Sequence, residues 1–258
     1  MALVPYASKG EMMDRVIYTA MSGAKHSMEQ QANASNNLAN ATTTGFREQL
    51  NTFRSAPVVG EGLATRAFVV DSTAGTNFAA GPVQDTGRAL DVAVQGPGWI
   101  AVQTADGGEA YTRNGSFRLS ENGILQTQRG LNVAGDGGPI SIPADVTVAV
   151  APDGTVSAIP TNGTPNAVNI LGRIKLVNPD EKSLKRGDDG LFRVTVGAQA
   201  PADANVKLIG GALEGSNVNV VEAMVNMINL SRQFELNMKV VQTAESDATK
   251  ATQLLSVG

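Results

Sequence analysis

Two stretches of the chain repeat their apolar positions at alternating steps of four and three. From Met13, with Asp14 adding negative charge to the first turn, the run Ile17, Met21, Ala24, Met28, Gln31, Ser35 and Leu38 keeps a period of 3.5 and predicts one amphipathic helix. The run ends in Asn33, Asn36, Asn37 and Asn40, followed by Thr42, Thr43, Thr44 and Gly45. Such side chains bond their own backbone and stop helices. Val220, Met224, Met227, Ser231, Phe234, Met238, Val241, Glu245, Ala248, Thr252 and Leu255 repeat the plan near the C-terminus. A helix from about Val218 to Leu255 spans on the order of 55 Å at 1.5 Å per residue. That exceeds what a compact body needs, so the helix projects from the body or joins an assembly.

Between these runs, over residues 60–212, the period drops to two and turn signals multiply. Ala67 to Val70, Leu90 to Val94, Trp99 to Gln103, Ala110 to Thr112, Phe117 to Leu119, Val146 to Val150 and Ile174 to Val177 read as strands. Asp106-Gly107, Asn114-Gly115, Asn122-Gly123, Asp153-Gly154 and Asn162-Gly163 are turn dipeptides, some of them closing hairpins. The chain therefore reads as α+β. Residues 1–12 form a leader without periodicity, residues 13–59 and 213–258 a coiled-coil-like helical core built from both ends, and residues 60–212 a β-rich central domain.

Composition narrows the chemistry. A hydrophobic fraction of 42% excludes a disordered chain, and the net charge of −4 lacks the electrostatic footprint of a nucleic-acid binder. With no cysteine there are no disulfides or thiolate sites, and His26 is the single imidazole. One helical His and no clustered acid/base or metal set leave little for catalysis, so the reading is non-enzymatic, with no cofactor and no catalytic or metal residues. No apolar run reaches the 18 residues of a membrane span, and no secretory signal core stands at the N-terminus. By these rules alone the chain reads as cytoplasmic.

Several local patterns admit plainer readings. Gly96-Pro-Gly98-Trp99-Ile-Ala101 fits a G-x-G-x-x-A dinucleotide fingerprint, but the residues after the glycines read as a strand where that site needs a helix. Acidic loops at Asp106, Asp136, Asp145 and Asp188-Asp189 lack calcium-loop spacing and read as solvated turns. His26 reads as a polar-face helix residue. Asn114-Gly-Ser and Asn162-Gly-Thr match glycosylation sequons and equally match polar hairpin tips. The methionines of the last helix form either a partner-binding stripe or core packing.

Three segments together resemble the axial proteins of the bacterial flagellum, the rod and hook family. The first is Asn36-Asn37-Leu38-Ala39-Asn40-Ala-Thr-Thr-Thr-Gly45-Phe46-Arg47. The second joins Gly96-Pro-Gly-Trp99-Ile-Ala-Val to Tyr111-Thr-Arg113-Asn-Gly115-Ser-Phe117 and Gly123-Ile-Leu125. The third is Leu213-Glu214-Gly-Ser216-Asn217-Val218, leading through Glu222-Ala-Met224 to Phe234-Glu235. Within the family, Met13 to Ala24 and Asp188 to Arg193 look most like the proximal-rod members. A distal-rod or hook-type member is the near alternative, and an oligomeric carbohydrate-binding module is the reading from another class.

The resemblance implies a structural subunit of the periplasmic rod of the basal body. It implies assembly with copies of itself and other rod proteins, without a membrane span, and export by the flagellar type III apparatus without a cleaved signal. On that reading Ile17, Met21, Met28, Leu38, Val220, Met224, Met227, Phe234, Met238, Val241 and Leu255 form an assembly seam. Phe46 and Leu50 resemble the Phe-x-x-x-apolar export-gate motif, with ordinary helix packing as the alternative.

Overall fold

The computed structural model describes residues 9–57, 67–160, 168–195 and 199–256. The chain separates into two compact units. One comprises residues 1–39, 49–75 and 219–258, the other residues 40–48 and 76–218.

The first unit holds two long helices, α1 (Lys9–Ala39) and α2 (Val220–Ser256), which contact each other. It also holds a two-stranded sheet of Gln49–Pro57 with Ala67–Thr76. Helix α1 starts at Lys9, inside the stretch expected to be an aperiodic leader, and stops at Ala39, so that Asn33, Asn36 and Asn37 lie in its last turns and Asn40 follows it. Helix α2 is N-capped by Asn219, whose Oδ1 accepts from the backbone N–H groups of Val221 (3.1 Å) and Glu222 (3.3 Å). Glu222 adds negative charge to the first turn, where the helix dipole favours it.

Both helices carry the 3.5-residue rhythm, in a different register from the apolar one. On α1 this face holds buried Ala20, Ala24 and Ser27, continued by half-buried Gln31, Ala34 and Leu38. On α2 the sequence is Ala223, Met227, Leu230, Phe234, Asn237, Val241, Ala244 and Ala248. Some of the seam positions read from the sequence coincide with this face, among them Ile17, Leu38, Met227, Phe234 and Val241. Others are exposed within the chain: Met21 and Met28 at 57%, Met224 at 48%, Val220 at 38% and Met238 at 37%. The side chain of Leu255 lies outside the described residues. Close approach explains the shift. A β-carbon on Gly23 would sit 3.1 Å from Asn237 Nδ2, so the contact selects Ala, Gly and Ser and turns the long methionines away.

The second unit is built of antiparallel strands. Its largest sheet runs Leu184–Arg186, Phe192–Val194, Glu109–Thr112, Trp99–Gln103, Asn132–Gly135, Leu125–Thr127 and Phe117–Leu119, with Leu176–Val177 also paired to Trp99–Gln103. A three-stranded sheet joins Val146–Val150, Thr155–Pro160 and Asn169–Arg173. Lys207–Gly210 pairs with Val92–Gln95, and Ala212–Glu214 with Val83–Asp85. The main core gathers Val92, Ile100, Phe117, Leu125, Val133 and Val156, all buried, with other apolar residues around them. A second core stacks Trp99 on Phe192, ring centroids 4.6 Å apart, with Phe78 edge-on to Trp99 at 6.0 Å.

Asp106-Gly107, Asn122-Gly123 and Asp153-Gly154 connect paired strands as their dipeptides predict. Asn114-Gly115 connects Glu109–Thr112 to Phe117–Leu119, which pair with other strands. Trp99–Gln103 is a strand, so no helix opens after Gly96 and Gly98 to receive a pyrophosphate. Residues 46–50 are not helical either: Phe46 precedes the strand that begins at Gln49. The helix-packing alternative for Phe46 and Leu50 therefore falls.

Candidate functional site

The motif segments at the two ends of the chain meet inside the strand-rich unit, and Glu214 is the point on which they converge. Its backbone carbonyl accepts from Gly45 N–H at 2.7 Å. One carboxylate oxygen, Oε1, lies 2.7 Å from Arg47 Nη2 and accepts from Gly81 N–H at 2.9 Å. The other, Oε2, accepts from Arg113 Nη1 at 3.0 Å. The three side chains are 0%, 1% and 5% exposed for Arg47, Glu214 and Arg113, so this is a buried triad of two cations on one anion.

The two guanidinium groups are held differently. Arg113 Nη2 also donates to the Gly96 carbonyl at 2.7 Å, and its guanidinium carbon lies 5.3 Å from the Trp99 ring centre. Burial pulls the Arg113 pKa below its ordinary value, Glu214 opposes that pull, and Arg47 adds to it by like-charge repulsion. Arg47 has no hydrogen-bond partner for Nε or Nη1 among the described residues. Proximity to the Glu214 carboxylate is what compensates its charge.

The neighbouring motif residues extend this network. Asn217 Oδ1 accepts from Glu48 N–H at 2.7 Å, while its Nδ2 donates to the carbonyls of Asn77 and Ala79, each at 2.9 Å. All its amide polar functions are engaged, a combination no other side chain of that size reproduces. Ser216 Oγ accepts from Val218 N–H at 3.2 Å. Leu213 pairs with Gln84 in a short antiparallel ladder. Phe46 is buried beneath Arg186, whose guanidinium carbon lies 4.3 Å from the ring centre.

In the helical unit, Asn37 does similar work. Its Nδ2 donates to the Gln49 carbonyl and its Oδ1 accepts from Gln49 N–H, both at 2.9 Å. The side chain thereby copies one rung of a β ladder. Asn37→Ala leaves both Gln49 backbone groups without that partner, and we expect a loss of about 1–3 kcal/mol, read from the midpoint of urea denaturation. Asn40 Oδ1 accepts from Thr43 Oγ1 at 3.2 Å in the turn that follows Ala39.

Other sequence candidates resolve into ordinary structure. Asn114 Oδ1 accepts from Ser116 N–H at 3.0 Å, forming the turn of its sequon. Asn162 lies outside the described residues. His26 Nδ1 stands 3.3 Å from Glu29 Oε2 on α1. Asp189 is bound through two oxygens by Arg193 (2.6 and 3.0 Å), which holds its carboxyl below the usual range. Among the described residues no group of three or more His, Asp or Glu side chains is placed to hold a metal ion, and no helix is long and apolar enough to cross a membrane.

Comparison with known proteins covers nearly the whole chain. Residues 17–47 match the family model described as flagella basal body rod protein. Residues 93–158 match the flagellar hook protein FlgE/F/G D1 domain, and residues 209–254 the C-terminal domain of flagellar basal body rod FlgEFG proteins. The flagellar basal-body rod protein FlgF of Salmonella typhimurium is 47% identical over 251 residues, covering 95% of this chain and 100% of that one. FlgF of Escherichia coli gives the same identity and coverage. The flagellar basal-body rod protein FlgG of Bacillus subtilis is 30% identical over 256 residues, covering 90% of this chain and 96% of its own.

Proposed function

This chain belongs to the flagellar basal-body rod protein family, and we propose that it is a proximal-rod subunit whose terminal helices assemble with copies of themselves and with other axial proteins. As a member of that family it is a structural subunit of the rod. The proximal assignment rests on the higher identity to FlgF than to FlgG across equivalent spans.

The observation that carries the assembly reading is the apolar surface on the two helices. Tyr18, Met21 and Met28 on α1, and Val221, Met224, Val225, Ile228, Leu236 and Val240 on α2, are 45–71% exposed. A run of large apolar side chains along helices of 31 and 37 residues exceeds what a soluble monomer ordinarily presents, and such surface marks a protein interface. The three-four spacing on both helices supports coiled-coil pairing within the chain, leaving the methionine faces for neighbours. Subunits joined this way by non-identical surfaces propagate helically and do not close. The reading is structural and non-catalytic, in the periplasmic rod, after export by the flagellar type III apparatus without a cleaved signal.

Met224→Asp with Ile228→Asp tests it. Both side chains are already about half exposed, at 48% and 55%, so the soluble subunit should melt within about 0.5 kcal/mol of the wild type. In cells lacking the native gene, the double variant should be exported yet leave the rod unfinished and the cells non-motile. Normal swimming would overturn the interface reading. Phe46→Ala with Leu50→Ala tests export: retention in the cytoplasm supports the motif, and a periplasmic pool removes it.

A further inference from the structure

Three segments of the strand-rich unit, at residues 43–47, 127–131 and 186–192, line a pocket whose wall includes Arg47, Arg129 and Arg186; the Arg47 guanidinium is already held against Glu214. Arg186 is half-buried and fixed. Its Nη1 donates to the Arg47 carbonyl at 3.1 Å, and its guanidinium lies on the Phe46 ring. Arg129 is exposed, and its Nη1 is anchored on the Asp189 carbonyl. Both forks converge on Gly190. A β-carbon built there would lie 3.7 Å from Arg186 Nη2 and 3.9 Å from Arg129 Nη1, and glycine at φ +77° leaves that space open.

Neither guanidinium forms an ion pair among the described residues. The carboxylate at the pocket wall, Asp189, is already neutralised by Arg193. Two guanidinium groups therefore flank Gly190, and neither has a carboxylate partner among the described residues. Burial lowers the Arg186 pKa, and repulsion from Arg129 lowers it further. Planar forked donors of this kind suit a planar oxyanion, a carboxylate above all.

The chain itself carries the complementary group. Its net charge is −4, and Glu222, Glu235, Glu245 and Asp247 are exposed along α2, in no ion pair among the described residues. We propose that Arg129 and Arg186 receive a carboxylate of helix α2 from a second copy of this chain, forming a polar contact between subunits beside the apolar one. The inference rests on the rod-assembly reading above.

The test is zero-length cross-linking of the full chain assembled in the rod. In the R186K variant, which keeps the positive charge, carbodiimide should join position 186 to an α2 carboxylate of another copy, identified by mass spectrometry of mixed isotopically labelled subunits. A link only within one copy, only to a different axial protein, or to no carboxylate overturns the proposal. A second measurement uses R129E, chosen because that side chain is exposed: copy-to-copy association at low salt should weaken at least tenfold with an unchanged melting temperature. Combining R129E with lysine at the cross-linked α2 position should restore it. Equal association of R129E and wild type overturns the site, as does tight binding of inorganic phosphate that leaves association intact. If wild-type protein fails to restore motility to a deletion strain, the rod reading falls and this proposal falls with it. If wild type and R129E both restore full assembly, only the charge site falls.

Discussion

Glu214→Ala should cost the strand-rich unit about 3–5 kcal/mol, because removing the single anion of a buried triad leaves two guanidinium groups uncompensated. The magnitude follows from burial. Arg47 has no exposed side-chain surface and no other hydrogen-bond partner among the described residues to take over the charge. Glu214→Gln keeps the shape but not the charge, so a loss of similar size would show that the charge matters more than the packing. Urea denaturation followed by Trp99 fluorescence reads the change, since Trp99 is the lone tryptophan and lies against Arg113. Lys25→Ala breaks the exposed pair with Glu29 and should move the midpoint by less than about 1 kcal/mol. Equal effects from the two sites would refute the triad as the centre of the junction.

Gly45→Ala should be nearly as damaging, by about 3–4 kcal/mol. Two effects add. The residue sits at φ +68°, which costs an L side chain roughly 1–2 kcal/mol. Its new β-carbon would also lie 2.4 Å from the carbonyl carbon of Arg113 and the nitrogen of Asn114. Those are backbone atoms of a turn whose other flank, Gly115, packs against the Val92 carbonyl, so the strain has no flexible side chain to absorb it. Thermal denaturation of the purified subunit checks this. A change below about 1 kcal/mol would mean the turn yields.

The helices were legible because a period of 3.5 over many turns survives any local exception. Their contacting face was only half legible. Reading the largest apolar residues as the seam places Met21, Met28 and Met224 at the interface, whereas close approach favours Ala20, Ala24 and Ser27. Strands with a continuous apolar run, such as Trp99–Gln103, or with clean alternation, such as Val146–Val150, are legible at their true limits. Gln49–Pro57, with the sequence QLNTFRSAP, has no clean two-residue period and went unread. The triad was invisible for another reason. Arg113 and Glu214 are 101 residues apart, and pairing at that distance leaves no local pattern. The hint is that Arg47, Arg113 and Glu214 each sit inside a motif segment, where a charge among apolar and small residues has to find a partner.

The hydrogen bond from Glu48 N–H to Asn217 closes a loop of 169 residues, and this has a kinetic consequence. Bringing such distant points together costs about 4.5 kcal/mol of chain entropy beyond the constant term, and contacts of that range form late in folding. A polypeptide delivered N-terminus first cannot complete this closure until residue 217 has arrived. Until then Arg47 and Arg113 stay hydrated and the Gly45 turn lacks its acceptor. The segment around residue 217 is therefore the last part of the junction that any N-to-C emergence, synthesis included, can supply, and the closure waits for it.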